Sequence, residues 1–273
     1  MNASIRARLR LIKEALFLRS LRAAGREQEL EELALELEKL GGVEEQYTTS
    51  RIDGEYMRWK VLLQNAFQIA LAAPEMPKDG GLVVDIGDSS GRHIAALKAL
   101  VPDCRARFLS VNLDPVAVEK VKARGLEAVQ SRAEDLVSRG LSADVFLLFE
   151  TLEHLSNPFN FLHDLATKSS CRSLVLTVPY VRRSRLGLHH IRQDIRAKVG
   201  AERVHLLELS PEDLRLLFAH TGWRVRTERI YRQYPRLGPL RATAAAWRRY
   251  DFEGFYGAVL ERDDRWSQLY ESW

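Results

Sequence analysis

The chain has little cysteine: only Cys104 and Cys171 occur among its 273 residues. Two thiols at that separation make neither a disulfide framework nor a metal-ligand spacing, so a reducing cytoplasm is the simplest setting. No apolar run is long enough to cross a bilayer as a helix. No internal repeat divides the chain. Charge of one sign is barely in excess, with 41 Lys and Arg against 37 Asp and Glu for a net +4, which leaves room for an anionic partner without demanding one. The G-x-G-x-x-G loop that cradles a dinucleotide pyrophosphate is missing, which argues against an NAD-dependent oxidoreductase.

What is present starts at Leu82-Val83-Val84-Asp85-Ile86-Gly87-Asp88-Ser89-Ser90-Gly91. The apolar run suits a strand covered on both faces, and Asp85 falls near its carboxyl end, where open α/β sheets place ligands. Gly87 and Gly91 bracket a tight turn, and Arg92 to Leu100 reads as a helix stopped by Pro102. A helix N-terminus there suits a ligand approaching along backbone amides. Strand-like runs recur at Arg107 to Asn112, Leu126 to Val129, Ala143 to Phe149 and Ser173 to Val178. Helical segments separate them, opened by Pro115 and by Asn157-Pro158. That alternation predicts βαβ units and a parallel sheet with right-handed crossovers.

From Asp85 the spacing is D-x-G-x-S-x-G. It resembles motif I of the class I S-adenosylmethionine-dependent methyltransferases, usually D-x-G-x-G-x-G, with Ser89 in place of the middle glycine. The array from about Gly81 to Trp223 is similar to the ubiquinone-biosynthesis-like branch, most specifically over Phe149 to Leu155. The resemblance implies an α/β fold: a Rossmann-like seven-stranded sheet in the order 3-2-1-4-5-7-6, with helices on both faces and an N-terminal helical appendage. It also implies S-adenosylmethionine as cofactor. Asp85, Gly87, Ser89 and Gly91 then border its methionine end, Asn112 and Leu113 its ribose, and Ala133 and Glu134 its adenine, with Glu150 in the same set. Asn112 stands where the family has an acid; Asp114 either supplies that carboxylate or only starts the next helix.

Glu150, Glu153 and His154 follow the fourth strand, and three roles are open to them. His154 is placed to act as the base that takes a proton from the methyl acceptor. Alternatively, Glu150, Glu153, His154 and the distant His205 resemble the metal set of small-RNA 3′-terminal 2′-O-methyltransferases. A divalent metal there would lower the pKa of an acceptor hydroxyl. In the third reading, Glu153-His154 only shapes the loop.

An insertion at about 180–209 is expected to lie over the strand ends as a lid. Between Arg182 and Arg203 it carries Arg182, Arg183, Arg185, Arg192, Arg196, Lys198 and Arg203, with only Asp194 and Glu202 against them. No aromatics interleave these arginines, so no base-stacking surface for single-stranded RNA is evident. The leading reading is O-methylation of a small or conjugated anionic metabolite. The alternatives are a metal-dependent RNA ribose 2′-O-methyltransferase and a non-catalytic S-adenosylmethionine-binding partner subunit.

Residues 1–77 are expected to form a helical region and 78–273 the methyltransferase domain. Ile5 to Leu21 is basic and Glu27 to Leu40 acidic, which suits an αα-hairpin or a homodimer contact. A further helix is expected over Glu55 to Ala73. Tyr47, Arg51, Tyr56 and Trp59 are candidates to cap the cofactor from above. The long segment Arg232 to Glu253, with Tyr234, Trp247 and Tyr250, is expected to wall the acceptor pocket.

Overall fold

The computed structural model describes residues 3–47, 52–138, 140–187, 204–250 and 252–271. Five parallel strands form the centre of the sheet: β1 (Leu82–Ile86), β2 (Arg107–Asn112), β3 (Ala128–Gln130), β4 (Val145–Phe149) and β5 (Ser173–Pro179). β1 pairs with β2 and β4, β2 with β3, and β4 with β5. A hairpin of β8 (Trp223–Arg232) and β9 (Gly254–Arg262) closes the sheet, with β9 antiparallel to β5. The order β3-β2-β1-β4-β5-β9-β8 is the expected one. Only the numbering differs, because two short strands intervene: β6 (Arg185–Leu186) pairs antiparallel with β7 (Leu207–Glu208) at the base of the insertion. β4 and β5 are buried along their whole length, as continuous apolar runs covered on both faces should be.

Local chemistry fixes the helix starts that follow the strands. Asp114 caps α5 (Pro115–Ala123) by accepting from Val116 N–H at 2.9 Å. Asn157 caps α6 (Pro158–Lys168) through Asn160 N–H, and Ser210 caps α7 (Pro211–His220) through Asp213 N–H. Each cap satisfies one amide that the first helical turn leaves without a partner, and each is followed by proline at the first helical position. α6 and α7 cover one sheet face through Phe161, Leu162, Leu165, Leu214, Leu217 and Phe218. α4 (Arg92–Leu100) covers the other through Ile94 and Leu97.

The N-terminal helices share that second face. α1 (Ala3–Glu27) and α2 (Glu31–Lys39) are joined by a tight reversal in which Glu29 takes a φ of 59° and Leu30 N–H bonds to Gly25 O. The second helix therefore starts at Glu31, not at Glu27: the chain has to turn before the acidic stretch can pack. Arg22 and Arg26 then meet Glu31, in line with the basic-to-acidic pairing of the two segments. Both helices pack on α3 (Glu55–Ala72), which lies directly on β9. A Cβ on Gly257 of β9 would press to 2.8 Å from Phe67 of α3. One hydrophobic core runs from Phe17 and Leu21 through Leu62 and Phe67 to Val83, Val145 and Val175.

The segment between β8 and β9 behaves differently from expectation. It folds into α8 (Ala244–Tyr250), whose fully buried Trp247 meets Phe17 of α1 with ring centroids 4.3 Å apart. Its indole N–H donates to Ser20 Oγ at 3.2 Å, and Tyr234 donates to Glu253 at 2.7 Å. Trp247 therefore pins the N-terminal helix, while Phe252 at the end of the same segment lines the cavity, so the segment supplies the expected wall through that residue and not through Trp247.

Candidate functional site

A cavity of about 670 Å³ crosses the carboxyl ends of β3, β2, β1 and β4 in that order. This is the position the sheet topology prescribes for a ligand, and the volume suits a small molecule. It brings together ten residues singled out from sequence: Gly87, Ser89, Asn112, Leu113, Ala133, Glu134, Glu150, Glu153, His154 and His205. Asp85 and Gly91 do not line it.

Asp85 is buried and turned inward, with Oδ2 3.1 Å from His93 Nδ1, and His93 lines the cavity in its place. Asp88 caps the turn: its Oδ1 accepts from Ser90 N–H at 3.2 Å and from Gly91 N–H at 2.8 Å. The amides expected to face a ligand are thereby satisfied within the protein. Gly91 instead starts α4 in the left-handed region at φ 76°, where a side chain would strain the backbone. Gly87, at φ 93°, is required by close approach, since a Cβ there would collide with Thr151 Oγ1. Burial, and then the charge of Asp85, push the Asp88 carboxyl up to about 6.

The two departures from the motif also make protein contacts. Ser89 donates its hydroxyl proton to Gln46 O, fastening the segment between α2 and α3 over the turn. Lys120 donates to Tyr47 O at 3.0 Å and Arg92 to Gly41 O, so three side chains hold the same strap. Asn112 donates to Asp88 O at 3.1 Å and accepts from Asp114 N–H at 2.8 Å. Asp114 caps α5 and does not line the cavity, so helix initiation is its observed role. Glu134 borders the cavity beside Arg132 and Ser156.

Past β4, Glu150 adopts a left-handed φ of 48°, the kind of strain that persists where surrounding structure fixes a functional geometry. Its amide bonds to Thr177 O at 2.8 Å, and its Oε1 is buried without a hydrogen-bond partner. Burial pushes its carboxyl up to about 8. Glu153 is more deeply buried, and burial followed by the nearby Glu150 raises it well above the usual carboxylate range.

Glu153, His154 and His205 converge, with one donor atom from each lying within 4.8 Å of the others. Glu150 is outside that group. His154 Nδ1 lies 2.8 Å from Val204 O, and His205 Nδ1 lies 2.9 Å from Glu208 Oε1. The two imidazoles meet edge to face at 4.8 Å, and His205 stacks on Phe252. Burial alone would raise Glu208, but hydrogen bonds from His205 and Arg185 outweigh it and hold the carboxyl below its ordinary value. Arg182 is likewise held by Glu253. His189, His190, Arg192, Asp194, Arg196, Lys198, Glu202 and Arg203 of the insertion lie outside the described residues, as does Arg51.

Sequence reading missed one wall. Met57, Lys60, Val61, Gln64, Asn65 and Gln68 of α3 line the cavity without having been singled out, whereas Tyr47 of the strap, one of the candidates to cap the cofactor, lines it too. Tyr56 packs toward Phe17, and Trp59 is in the core under Arg22. The signal was available: Lys60, Gln64, Asn65 and Gln68 recur at helical spacing inside an otherwise apolar helix, and buried amides need a polar surface to face.

Residues 84–168, which span the β1 turn to the end of α6, match a family model described as a methyltransferase domain. Over those residues the chain carries a methyltransferase domain. None of the curated proteins matches the sequence. Among solved structures, the domain is similar to magnesium protoporphyrin IX methyltransferase from Synechocystis PCC 6803 with bound SAH. That match has a TM-score of 0.53 and 12% identity, covering 78% of this chain and 90% of that one. It is also similar to 1,6-didemethyltoxoflavin-N1-methyltransferase from Burkholderia thailandensis, with bound 1,6-didemethyltoxoflavin and S-adenosylhomocysteine. There the TM-score is 0.50 at 15% identity, over 74% of this chain and 79% of that one. A third similar chain comes from the complex of the Haloferax volcanii Trm112 methyltransferase activator with a methyltransferase, at TM-score 0.52 and 19% identity, covering 72% and 90%. At these identities the structures share the domain's fold. They do not single out the ubiquinone-biosynthesis-like branch or an acceptor.

Proposed function

We propose that the protein transfers the methyl group of S-adenosylmethionine to a hydroxyl of a small or conjugated anionic metabolite, with His154 as the base. The observation that carries this reading is the division of the cavity. The ends of β3, β2 and β1 offer a run suited to adenosine and its tail, while His154, His205 and Phe252 border the far end beyond β4. Glu134 and the Ala133 segment are assigned to the adenine side, Asn112 and Leu113 to the ribose, and Gly87 and Ser89 to the turn beneath the sulfur.

The cofactor's sulfonium makes methyl transfer favourable once an acceptor is aligned, so the protein's part is alignment and proton removal. A carbonyl only accepts, so the 2.8 Å contact to Val204 O places a proton on His154 Nδ1 and leaves Nε2 as the basic nitrogen of the neutral ring. Lys60 supplies positive charge in the cavity wall for an anionic acceptor. Calorimetric titration of S-adenosylmethionine and S-adenosylhomocysteine tests the cofactor, and an acceptor screen follows. His154→Gln should lower kcat by roughly 10²–10⁴ with cofactor affinity unchanged. Undiminished turnover would remove His154 from the chemistry.

A second reading is favoured by the Glu153, His154 and His205 cluster. An acceptor at Nδ1 is the usual orienting contact of a metal-bound histidine, and here Val204 O and Glu208 occupy those positions. Glu153 Oε2 is buried without a hydrogen-bond partner. These donors fit Mg²⁺, Mn²⁺, Zn²⁺ or Fe²⁺, which would lower the pKa of a bound hydroxyl. Turnover abolished by chelation and restored by one of these ions would select this reading. Salt-sensitive RNA binding would then point to a ribose acceptor.

A further inference from the structure

We propose that Asp85, Asp88 and His93 hold a divalent metal ion of the Mn²⁺, Fe²⁺ or Zn²⁺ class in the protein interior, beneath the turn between β1 and α4. These residues are distinct from the Glu153, His154 and His205 cluster, and the assignment does not depend on the cofactor reading. β1 delivers Asp85 near its carboxyl end, the turn delivers Asp88, and the first turn of α4 delivers His93. All three are buried, none more than 6% exposed, and one donor atom from each lies within 4.8 Å of the others. A divalent ion about 2.1 Å from its ligands sets neighbouring donors about 3 Å apart. His93 Nδ1 lies 3.1 Å from Asp85 Oδ2.

Contacts within the protein leave this cluster half satisfied. Asp88 Oδ1 is taken by the amides of Ser90 and Gly91 at 3.2 and 2.8 Å, whereas its Oδ2 is buried without a hydrogen-bond partner. Asp85 Oδ2 meets His93, and its Oδ1 is likewise buried without a partner. The same holds for the hydroxyls of Ser90, next to Asp88, and of Ser110, which sits beside Asp85 in the register of β1 and β2. A buried carboxylate oxygen is ordinarily hydrogen-bonded or bound to a cation, because bare burial costs its full desolvation.

Charge and orientation point the same way. A proton on His93 neutralises one of the two buried carboxylates, whereas a divalent ion neutralises both. Arg92, the neighbouring cation, is turned to the strap, where it donates to Gly41 O. Burial opposes a charge on His93, yet Asp85 and then Asp88 hold the ring above its ordinary pKa, a sign of how strongly the pocket draws a cation. His93 Nε2 lies 3.1 Å from Gln68 Oε1. Gln68 is fixed by donating to Thr177 Oγ1 at 3.2 Å and by accepting from Asn65 at 3.0 Å. Asn65 Nδ2 is also 3.5 Å from Nε2, but its nearer acceptor is Gln68. Nε2 therefore carries a proton for Gln68, and Nδ1 is the nitrogen left for the ion. A metal-bound histidine characteristically donates its other N–H to a fixed acceptor in this way. One imidazole with two carboxylates suits Mn²⁺, Fe²⁺ or Zn²⁺ better than Ca²⁺ or Mg²⁺, which favour oxygen throughout. The ion ties strand, turn and helix start together and fixes the His93 ring that borders the cavity.

The test uses the full chain carrying His154→Gln and His205→Gln, which disarm the other cluster. After chelation and desalting, calorimetric titration should show one Mn²⁺ or Zn²⁺ bound per chain; Zn²⁺ stands in for Fe²⁺, since it binds such sites more tightly. Adding Asp88→Asn should weaken binding by at least about tenfold, the loss that follows even when an outer contact of a ligand is removed. Asparagine keeps an oxygen for the Ser90 and Gly91 amides, so the turn itself is preserved. No binding to the double variant, or binding undiminished by Asp88→Asn, would overturn the proposal. Should the variants not fold, wild-type crystals soaked in Mn²⁺ and in Zn²⁺ decide. An anomalous peak among Asp85, Asp88 and His93 is expected with one of the two ions, and peaks only elsewhere, or none, would overturn the site.

Discussion

Gly87→Ala should destabilise the protein and disable the site for two separable reasons. Gly87 sits at φ 93°, where a β-carbon strains the backbone; holding a non-glycine residue there costs about 1–3 kcal/mol. The new methyl also collides with Thr151 Oγ1, which contacts both Ile86 O at 3.1 Å and Phe149 O at 3.0 Å. Pushing that side chain aside loses its hydrogen bond, about 1 kcal/mol, and forces it from its rotamer for about as much again. The sum is roughly 3–5 kcal/mol. Thr151 lies between Glu150 and the Glu153-His154 pair, so its displacement also moves these cavity-lining groups. Urea unfolding should therefore be measured in both the native and the Thr151→Ala background. Thr151→Ala removes the colliding oxygen, so Gly87→Ala should then cost only the backbone part, about 1–3 kcal/mol. An equal cost in both backgrounds would refute the steric half of the reasoning, and no cost in either would refute both halves.

Three more outcomes follow from the buried contacts. The Glu150 carboxyl is raised from 4.5 to about 8, so the folded state holds more protons than the unfolded one across that window and stability falls as pH rises through it. Allowing for water in the cavity, Glu150→Gln should remove on the order of 2–3 kcal/mol of that decline, read from urea unfolding at pH 5 and pH 8. Trp247→Ala should cost about 3–5 kcal/mol, because the ring is fully buried against Phe17 and its N–H is bonded to Ser20; unchanged unfolding would show that α8 does not hold α1. Ser89→Gly restores the family's glycine yet removes the bond to Gln46 O, so binding of S-adenosylhomocysteine should weaken by a factor of a few; tighter binding would show that the serine is merely a missing glycine.

The parts of this structure legible in the sequence are those set locally. Asp114, Asn157 and Ser210 each cap a helix through amides two or three residues away, so the sequence places those helix starts well. The apolar runs of β4 and β5 needed only burial on both faces. The break at Glu29 was less visible, because a left-handed glutamate between two helical segments is enforced by their packing on α3 and not by its own preference. The inward turn of Asp85 was hidden for the same kind of reason. It depends on His93, which is brought to it by α4, and on Gln68, brought by a helix that sequence reading assigned to a separate appendage. Trp247 shows the limit from another side: an aromatic in a long connecting segment reads as a pocket wall, and only the position of α1 reveals that it is a core residue.

Three positions expected at the cofactor also make contacts within the protein. Asp85 holds His93, Asn112 ties Asp88 to the start of α5, and Ser89 fastens Gln46. Asp85, through His93 and Gln68, and Ser89, through Gln46, link the strand ends to α3 and to the strap that follows α2. Those elements are also the ones joined to α1 through a single hydrophobic core. Here the groups facing the cavity from above are Lys60, Gln64, Asn65, Gln68 and Tyr47, and their positions depend on how α1 and α2 pack against α3. The departures from the motif and the N-terminal helices are therefore parts of one arrangement, and neither is explained without the other.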